Sequence, residues 1–192
     1  MTIDAALARR IALVAFDVDG TLTDNGVYIG ATAEGSGNGR MEFKRFDIQD
    51  GLGIVMLRRA GLTVALISAR HSDATTLRAT ELGVQHLMQG RGLKKVPTLE
   101  ALCAQLGITF EQAAFMGDDL ADIAVMQRVA LSAAPSNAVA EVKAVATVQL
   151  AREGGRGAAR EFVELLLRAR GDWDTVVAGY VAESAAAEAS VA

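Results

Sequence analysis

The sequence predicts an α/β fold, a parallel sheet covered by helices on both faces. Three observations carry that expectation. Short apolar runs at 11–16, 62–67, 84–88, 113–116, 129–133 and 145–149 alternate with amphipathic segments, the rhythm of buried strands joined by crossover helices. Amphipathic segments stop at Gly61, Gly83 and Gly107, and glycine readily takes the left-handed conformation at a helix end. An apolar fraction of 51% over 192 residues can build one core of domain size, whereas disorder needs low hydrophobicity and high net charge.

Residues 11–16 form the first expected strand. Residues 24–50 break the rhythm. There Val27, Tyr28 and Ile29, then Met41, Phe43 and Phe46, flank a Gly-, Ser- and Asn-rich stretch from Ala31 to Gly39, which predicts a β-hairpin flap over roughly 25–47 with a mobile tip. Leu52, Ile54, Val55 and Leu57 follow Asp50 at helical spacing, so a helix capped by Asp50 is expected. Further helices are expected over 72–82, 97–106, 118–128 and 158–170. Residues 183–192, mostly Ala, Glu and Ser, read as a disordered tail after a single domain spanning 1–182.

A net charge of −4 supplies no general basic patch, which argues against nucleic acid and anionic membrane as partners. No apolar run approaches the roughly 20 residues that span a bilayer. Cys103 is the single cysteine and cannot form an internal disulfide; with no signal-peptide pattern at the N-terminus, a cytoplasmic location is expected. Cys103 shares a helical face with Leu99, Leu102 and Leu106, the pattern of a core thiol.

The chemistry begins where the first strand ends. Asp17-Val18-Asp19-Gly20-Thr21 follows Ile11 to Phe16, so two carboxylates emerge where a buried strand enters a turn. A glycine there permits close backbone approach, and a threonine can aim a hydroxyl at an oxyanion. In a parallel α/β sheet functional groups collect at the carboxyl ends of strands. Other strand ends carry Ser68-Ala69-Arg70 and Gly117-Asp118-Asp119, with Asp122 one helical turn beyond Asp118. An ammonium follows the third strand, and composition leaves Lys94 and Lys95 as equal candidates. Together these are the parts for moving a phosphoryl group: a carboxylate nucleophile, a second carboxylate, a hydroxyl, a cation and further acids.

Four motifs, Asp17-x-Asp19-Gly20-Thr21, Ser68, Lys94 and Gly117-Asp118-Asp119-x-x-Asp122, resemble those of the haloacid dehalogenase superfamily of phosphohydrolases, over nearly all of Ile11 to about Arg170. Within it, Thr23-Asp24, Phe46-Asp47-Ile48-Gln49-Asp50-Gly51, Gln89-Gly90 and Gly154-Gly155-Arg156-Gly157-Ala158 look most like the family of 3-deoxy-D-manno-octulosonate 8-phosphate (KDO 8-phosphate) phosphatases. The resemblance implies a three-layer Rossmann-like core with a hairpin flap and no large cap domain. It implies that Asp17 attacks phosphorus to form an aspartyl-phosphate, and that Asp19 protonates the leaving oxygen and then activates water. It also implies that Ser68 and Lys94 hold the phosphoryl group. Mg²⁺ would be bound by Asp17, the backbone carbonyl of Asp19 and Asp118, with Asp119 and Asp122 in support. Arg70 and Arg156 become candidates for binding a phosphorylated sugar acid, and a homotetramer whose hairpins associate is implied, acting in lipopolysaccharide precursor synthesis. The chain departs from the usual Thr-Gly-Arg with Ser68-Ala69-Arg70, and its hairpin tip is longer than usual.

Two other readings compete with this one. A phospho-accepting regulatory domain also uses strand-end Asp and Lys groups with Mg²⁺, but has no need of an acid/base two residues after the acceptor, where Asp19 stands. A phosphatase of a related nine-carbon sugar acid, or a broad phosphomonoesterase, would share the motifs and differ in the leaving group.

Overall fold

The computed structural model describes residues 2–31 and 40–189; of the stretch 31–39 expected to hold a mobile tip, residues 32–39 lie outside the described residues. In chain order the elements are α1 (Ala5–Arg10), β1 (Leu13–Phe16), β2 (Tyr28–Ala31), β3 (Arg40–Phe43), α2 (Ile48–Arg59), β4 (Thr63–Ser68), α3 (Asp73–Glu81), β5 (His86–Gln89), α4 (Lys95–Leu106), β6 (Ala113–Met116), α5 (Ile123–Met126), β7 (Leu131–Ala134), α6 (Ala140–Val145), β8 (Val148–Gln149), α7 (Ala158–Arg170) and α8 (Trp173–Ala189).

Six strands form one sheet in the order β5-β4-β1-β6-β7-β8, every pair parallel. β1 is buried along its length and its side chains alternate between two cores. Val14 and Phe16 join one with Ile54 and Leu57 of α2 and Phe162 and Leu166 of α7. Leu13 and Ala15 join the other with Leu99, Leu102 and Cys103 of α4 and Val125 of α5. A strand buried on both faces reads as a continuous apolar run, which is why its sequence shows no polar alternation. Phe16 stands opposite Leu66 of β4 and Met116 of β6. The residues following these three strands therefore leave the sheet along one edge, where the chain order reverses around β1.

Several expectations needed correction. The cap of α2 is Asp47, which accepts from the N–H groups of Gln49 and Asp50. Asp50 lies inside the first turn, buried, and accepts from the N–H groups of Gly157 and Arg160, tying α2 to the start of α7. The helix expected over 118–128 is a 3₁₀ turn at Leu120–Asp122 followed by the short α5. The Asp122 carboxylate turns back to accept the amides of Asp118 and Asp119, closing the segment into a tight turn before a helix can start. Of the disordered tail expected over 183–192, residues 183–189 are instead part of α8, which runs to Ala189, and 190–192 lie outside the described residues. Ala and Glu are strong helix formers; Trp173 is buried in the core, and Arg59 pairs with Glu183 in two hydrogen bonds. No helix among the described residues is long and apolar enough to cross a membrane.

β2 and β3 form the expected antiparallel hairpin, with Tyr28 opposite Phe43. An isolated bridge between Thr23 and Phe46 brings its base back to the loop that follows β1.

Candidate active site

Asp17, Ser68 and Asp118 converge because the register of β1, β4 and β6 aligns the strand ends. Asp17 is buried, and its Oδ1 accepts from Lys95 Nζ at 2.5 Å. Thr21 Oγ1 donates to Asp118 Oδ1 at 2.9 Å. Gly20 makes that approach possible. Its φ is +91°, and a Cβ there would stand 2.0 Å from Asp118 Oδ2, so any other residue would be strained and would push Asp118 away. Behind the loop, Gly154 packs so closely that a Cβ would meet the Gly20 carbonyl at 1.9 Å. Asn137 braces both segments, donating to the Gly20 carbonyl and accepting from the Gly154 amide.

The lysine that the structure brings to Asp17 is Lys95, and the choice of Lys94 is corrected on geometry. Lys95 is buried and donates to both Asp17 and Asp122, whereas Lys94 is exposed and precedes the first turn of α4. Successive residues at a helix start point about 100° apart, so one of two adjacent lysines enters the site and the other leaves it. Asp122, taken above as a supporting group, is buried; its Oδ1 holds Lys95 and its Oδ2 accepts the amides of Asp118 and Asp119. Asp119 is exposed and caps the 3₁₀ turn through Leu120 N–H.

Asp19 sits at the mouth of the site, with Ser68 Oγ donating to its Oδ2 at 3.4 Å. Lys44 donates to its Oδ1, and Arg70 lies 3.6 Å from the same oxygen. Beyond them a cavity of about 980 Å³ is lined by Glu42, Lys44, Arg70, His71 and Arg91, with Met41, Phe43 and Leu77. Arg156 is not brought to this cavity. Its side chain is more than half exposed and pairs with Glu153 at 3.5 Å. A second cavity, about 480 Å³ between α2 and α7, is lined by none of Asp17, Asp19, Ser68, Lys95, Asp118 or Asp122. The Thr21 hydroxyl, read above as one for an oxyanion, is instead given to Asp118, and Lys44 and Asn137 were not anticipated. Only Lys44 had a signal, the alternation Met41-Glu42-Phe43-Lys44, which puts the charged pair on one face of a strand.

Asp17, Asp118 and Asp122 each offer a carboxylate oxygen, all within 4.8 Å of one another and all buried. Asp122 has both oxygens committed. Asp17 and Asp118 each give one oxygen to a neighbour and keep Oδ2 for a ligand. A sparse set of carboxylate oxygens fits Mg²⁺, which keeps waters and phosphate oxygens in its shell. The electrostatics agree. Burial, reinforced by Asp122 and Asp118 against the pull of Lys95, pushes Asp17 up to about 8, and burial lifts Asp118 to about 7. Burial disfavours the Lys95 charge, but Asp17 and Asp122 outweigh it and hold its pKa above the usual lysine value. Three carboxylates against one ammonium leave an excess of negative charge that a divalent cation would neutralise.

These shifts predict a pH dependence of stability. A carboxyl whose folded pKa is raised binds more protons folded than unfolded, so stability falls as pH climbs through the window between the two values. For the metal-free protein the thermal midpoint should therefore fall as pH rises from about 4 to about 8 through these two groups, with Mg²⁺ restoring it most at the alkaline end. Thermal melts from pH 5 to 8.5, with and without Mg²⁺, check this. A metal-free midpoint that rises across that range would contradict it.

A family model described as haloacid dehalogenase-like hydrolase matches residues 87–161. Over 169 residues the chain is 37% identical to the KDO 8-phosphate phosphatase KdsC of Escherichia coli strain K12, covering 88% of this chain and 86% of that protein. The chain belongs to this family of haloacid dehalogenase-like phosphomonoesterases. Among solved structures, the KDO 8-phosphate phosphatase of Moraxella catarrhalis, in complex with magnesium ion, phosphate ion and KDO, superposes with a TM-score of 0.83 at 35% identity, covering 92% of this chain and 97% of that one. A probable YrbI-family phosphatase of Pseudomonas syringae pv. phaseolica 1448a gives 0.82 at 41% identity over 92% and 96% of the two chains. The fold and reaction class expected of the haloacid dehalogenase family hold for this chain.

Proposed function

We propose that this phosphatase hydrolyses KDO 8-phosphate to KDO and inorganic phosphate through an aspartyl-phosphate on Asp17, as a Mg²⁺-dependent cytoplasmic step toward lipopolysaccharide. The observation that carries the reading is the placement of Asp17 between Lys95 and the Asp118 side of the site, with Asp19 two residues on beside Ser68. Asp17 attacks phosphorus, a covalent route open to carboxylates. Asp19 gives a proton to the leaving sugar oxygen and then takes one from the attacking water. Ser68 and Lys95 hold the phosphoryl oxygens as charge shifts onto them. Asp17, Asp118 and the Asp19 carbonyl would hold Mg²⁺, which supplies neutralisation of the phosphate charge when bound.

The sugar fits the cavity beyond Asp19. Arg70 lines it, and a guanidinium fork suits paired carboxylate or hydroxyl oxygens. Arg156 would join from its exposed loop after a side-chain movement or at a subunit contact. Phosphate release from KDO 8-phosphate, a nine-carbon sugar-acid 9-phosphate and p-nitrophenyl phosphate, each with Mg²⁺ and with excess chelator, tests the assignment. The KDO ester should be turned over with a kcat/KM at least about 10²-fold above the aryl ester, and chelator should abolish both. Preference for the nine-carbon ester would reassign the substrate, and full activity in chelator would remove the metal.

A homotetramer built on the hairpins is the second part of the proposal. Val27, Tyr28, Ile29, Met41 and Phe43 are all more than two-fifths exposed, Tyr28 beside Phe43 on one face of the hairpin and Ile29 on the other, and exposed apolar surface of this kind marks an association site. Light scattering should give four copies for the wild type and a smaller assembly for Phe43→Lys. A fully active wild-type monomer would overturn this.

A further inference from the structure

The strand β3 runs Arg40-Met41-Glu42-Phe43 and leads directly into Lys44. Side chains alternate across a strand. Met41 and Phe43 are exposed on one face, while Glu42 and Lys44 turn toward the strand ends of the main sheet. The Lys44 side chain is wholly covered, donates to Asp19 Oδ1 and lies 3.7 Å from Glu42 Oε1. Arg70 also faces Oδ1 of Asp19, at 3.6 Å, and reaches Glu42 Oε2 at 3.1 Å. Two cations thus converge on one oxygen of Asp19, and the other oxygen is left to Ser68 at 3.4 Å. A covered ammonium is a poor way to stabilise a hairpin, because desolvation offsets most of the attraction. What it does supply is direction.

We propose that Lys44 is a positioning residue: by holding Oδ1 of Asp19 it aims Oδ2 at the bond between phosphorus and the leaving oxygen. This rests on the reading of Asp19 as acid and base. The terminal torsion of an aspartate is broad and nearly two-fold, so without a partner from outside its own loop the two oxygens exchange and the aim drifts. In the first half-reaction a carboxylate oxygen of Asp17 bonds to phosphorus. The bond from phosphorus to the sugar oxygen breaks, its electron pair stays on that oxygen, and the proton on Asp19 Oδ2 moves there. In the second, water oxygen bonds to phosphorus, the bond from phosphorus to Asp17 breaks with its pair returning to the carboxylate, and Asp19 Oδ2 takes the water's proton. Both proton transfers use Oδ2, the oxygen Lys44 leaves uncovered. The hairpin is then a working part of the catalytic apparatus as well as an association surface.

The test compares leaving groups. Nitrophenolate departs without a proton and a sugar alkoxide does not, and kcat/KM reports the steps through departure of the leaving group. Wild type, Lys44→Met, Lys44→Arg and Asp19→Asn are assayed on p-nitrophenyl phosphate and on the best alkyl phosphate of the substrate panel, KDO 8-phosphate on the reading above. Lys44→Met should lose about 30- to 100-fold in kcat/KM on the sugar ester, the scale of a misplaced catalytic group, and no more than about 5-fold on the aryl ester. Lys44→Arg should recover part of the loss. An equal loss on both esters by folded Lys44→Met, or a loss confined to KM for the sugar ester, overturns the proposal. If Asp19→Asn also hits both esters equally, the acid role of Asp19 has failed and the proposal falls with it. If Asp19→Asn discriminates and Lys44→Met does not, the positioning role falls by itself.

Discussion

Asp17→Asn is expected to fold and to lose at least about 10³-fold in phosphate release, the largest effect of any single substitution in this chain. The amide keeps the shape of the side chain but cannot attack phosphorus, and it removes one of the charges that would hold Mg²⁺. The same change should leave metal-free stability at pH 8 at or above that of the wild type. Asp17 is buried against Asp122 and Asp118, and its pKa is pushed up to about 8, so its charge opposes folding there. Circular dichroism melts beside a phosphate-release assay separate the two effects. Near-wild-type turnover by a verified Asp17→Asn sample would end the nucleophile assignment.

The second large effect separates two adjacent lysines. Lys95→Met should lower kcat by about 10²- to 10³-fold, the range for removing one charged donor from a transferring group. It should also cost about 3 kcal/mol of stability, because the buried Asp17 and Asp122 lose their shared counter-charge. Lys94→Met should stay within about twofold of wild type in activity and within about 0.5 kcal/mol in stability, as exposed substitutions usually do. Steady-state kinetics and thermal melts of the two variants decide the matter. The reverse ranking would mean that α4 starts one residue earlier or is rotated in the working enzyme.

What was legible in the chain was local. Asp17 and Asp19 stand out because a run of buried residues ends in paired acids, and such an ending is rare unless a ligand or cation meets it. Ser68 and Asp118 follow from the rule that parallel strands present functional groups at their carboxyl ends, a rule that needs only the strand positions. The helices α2, α3, α4 and α7 announce themselves by spacing and terminal glycines. Asp47 and Asp50 show the limit. Both are acids near a helix start, and choosing the cap needed the backbone angles of Asp47 and the partners of Asp50 more than a hundred residues away. The helix α8 was missed because an Ala-rich end carries no apolar stripe, and its docking depends on Trp173 and on the reach of Arg59 to Glu183.

By itself the sequence determined the α/β class, the strands whose ends meet at the candidate site and the acids at those ends, because these depend on hydrophobic periodicity and on residues a few positions apart. Only the tertiary structure decided that Lys95 enters the site and Lys94 leaves it, that Asp122 holds the lysine rather than standing in solvent, and that a hairpin lysine lies against Asp19. Each of those is a choice of direction about a helix or strand axis, settled by contacts between residues 25 to 78 positions apart. A linear pattern records which groups are available; orientation comes from packing, since a rotation of about 100° per residue separates a buried ion pair from a solvated charge.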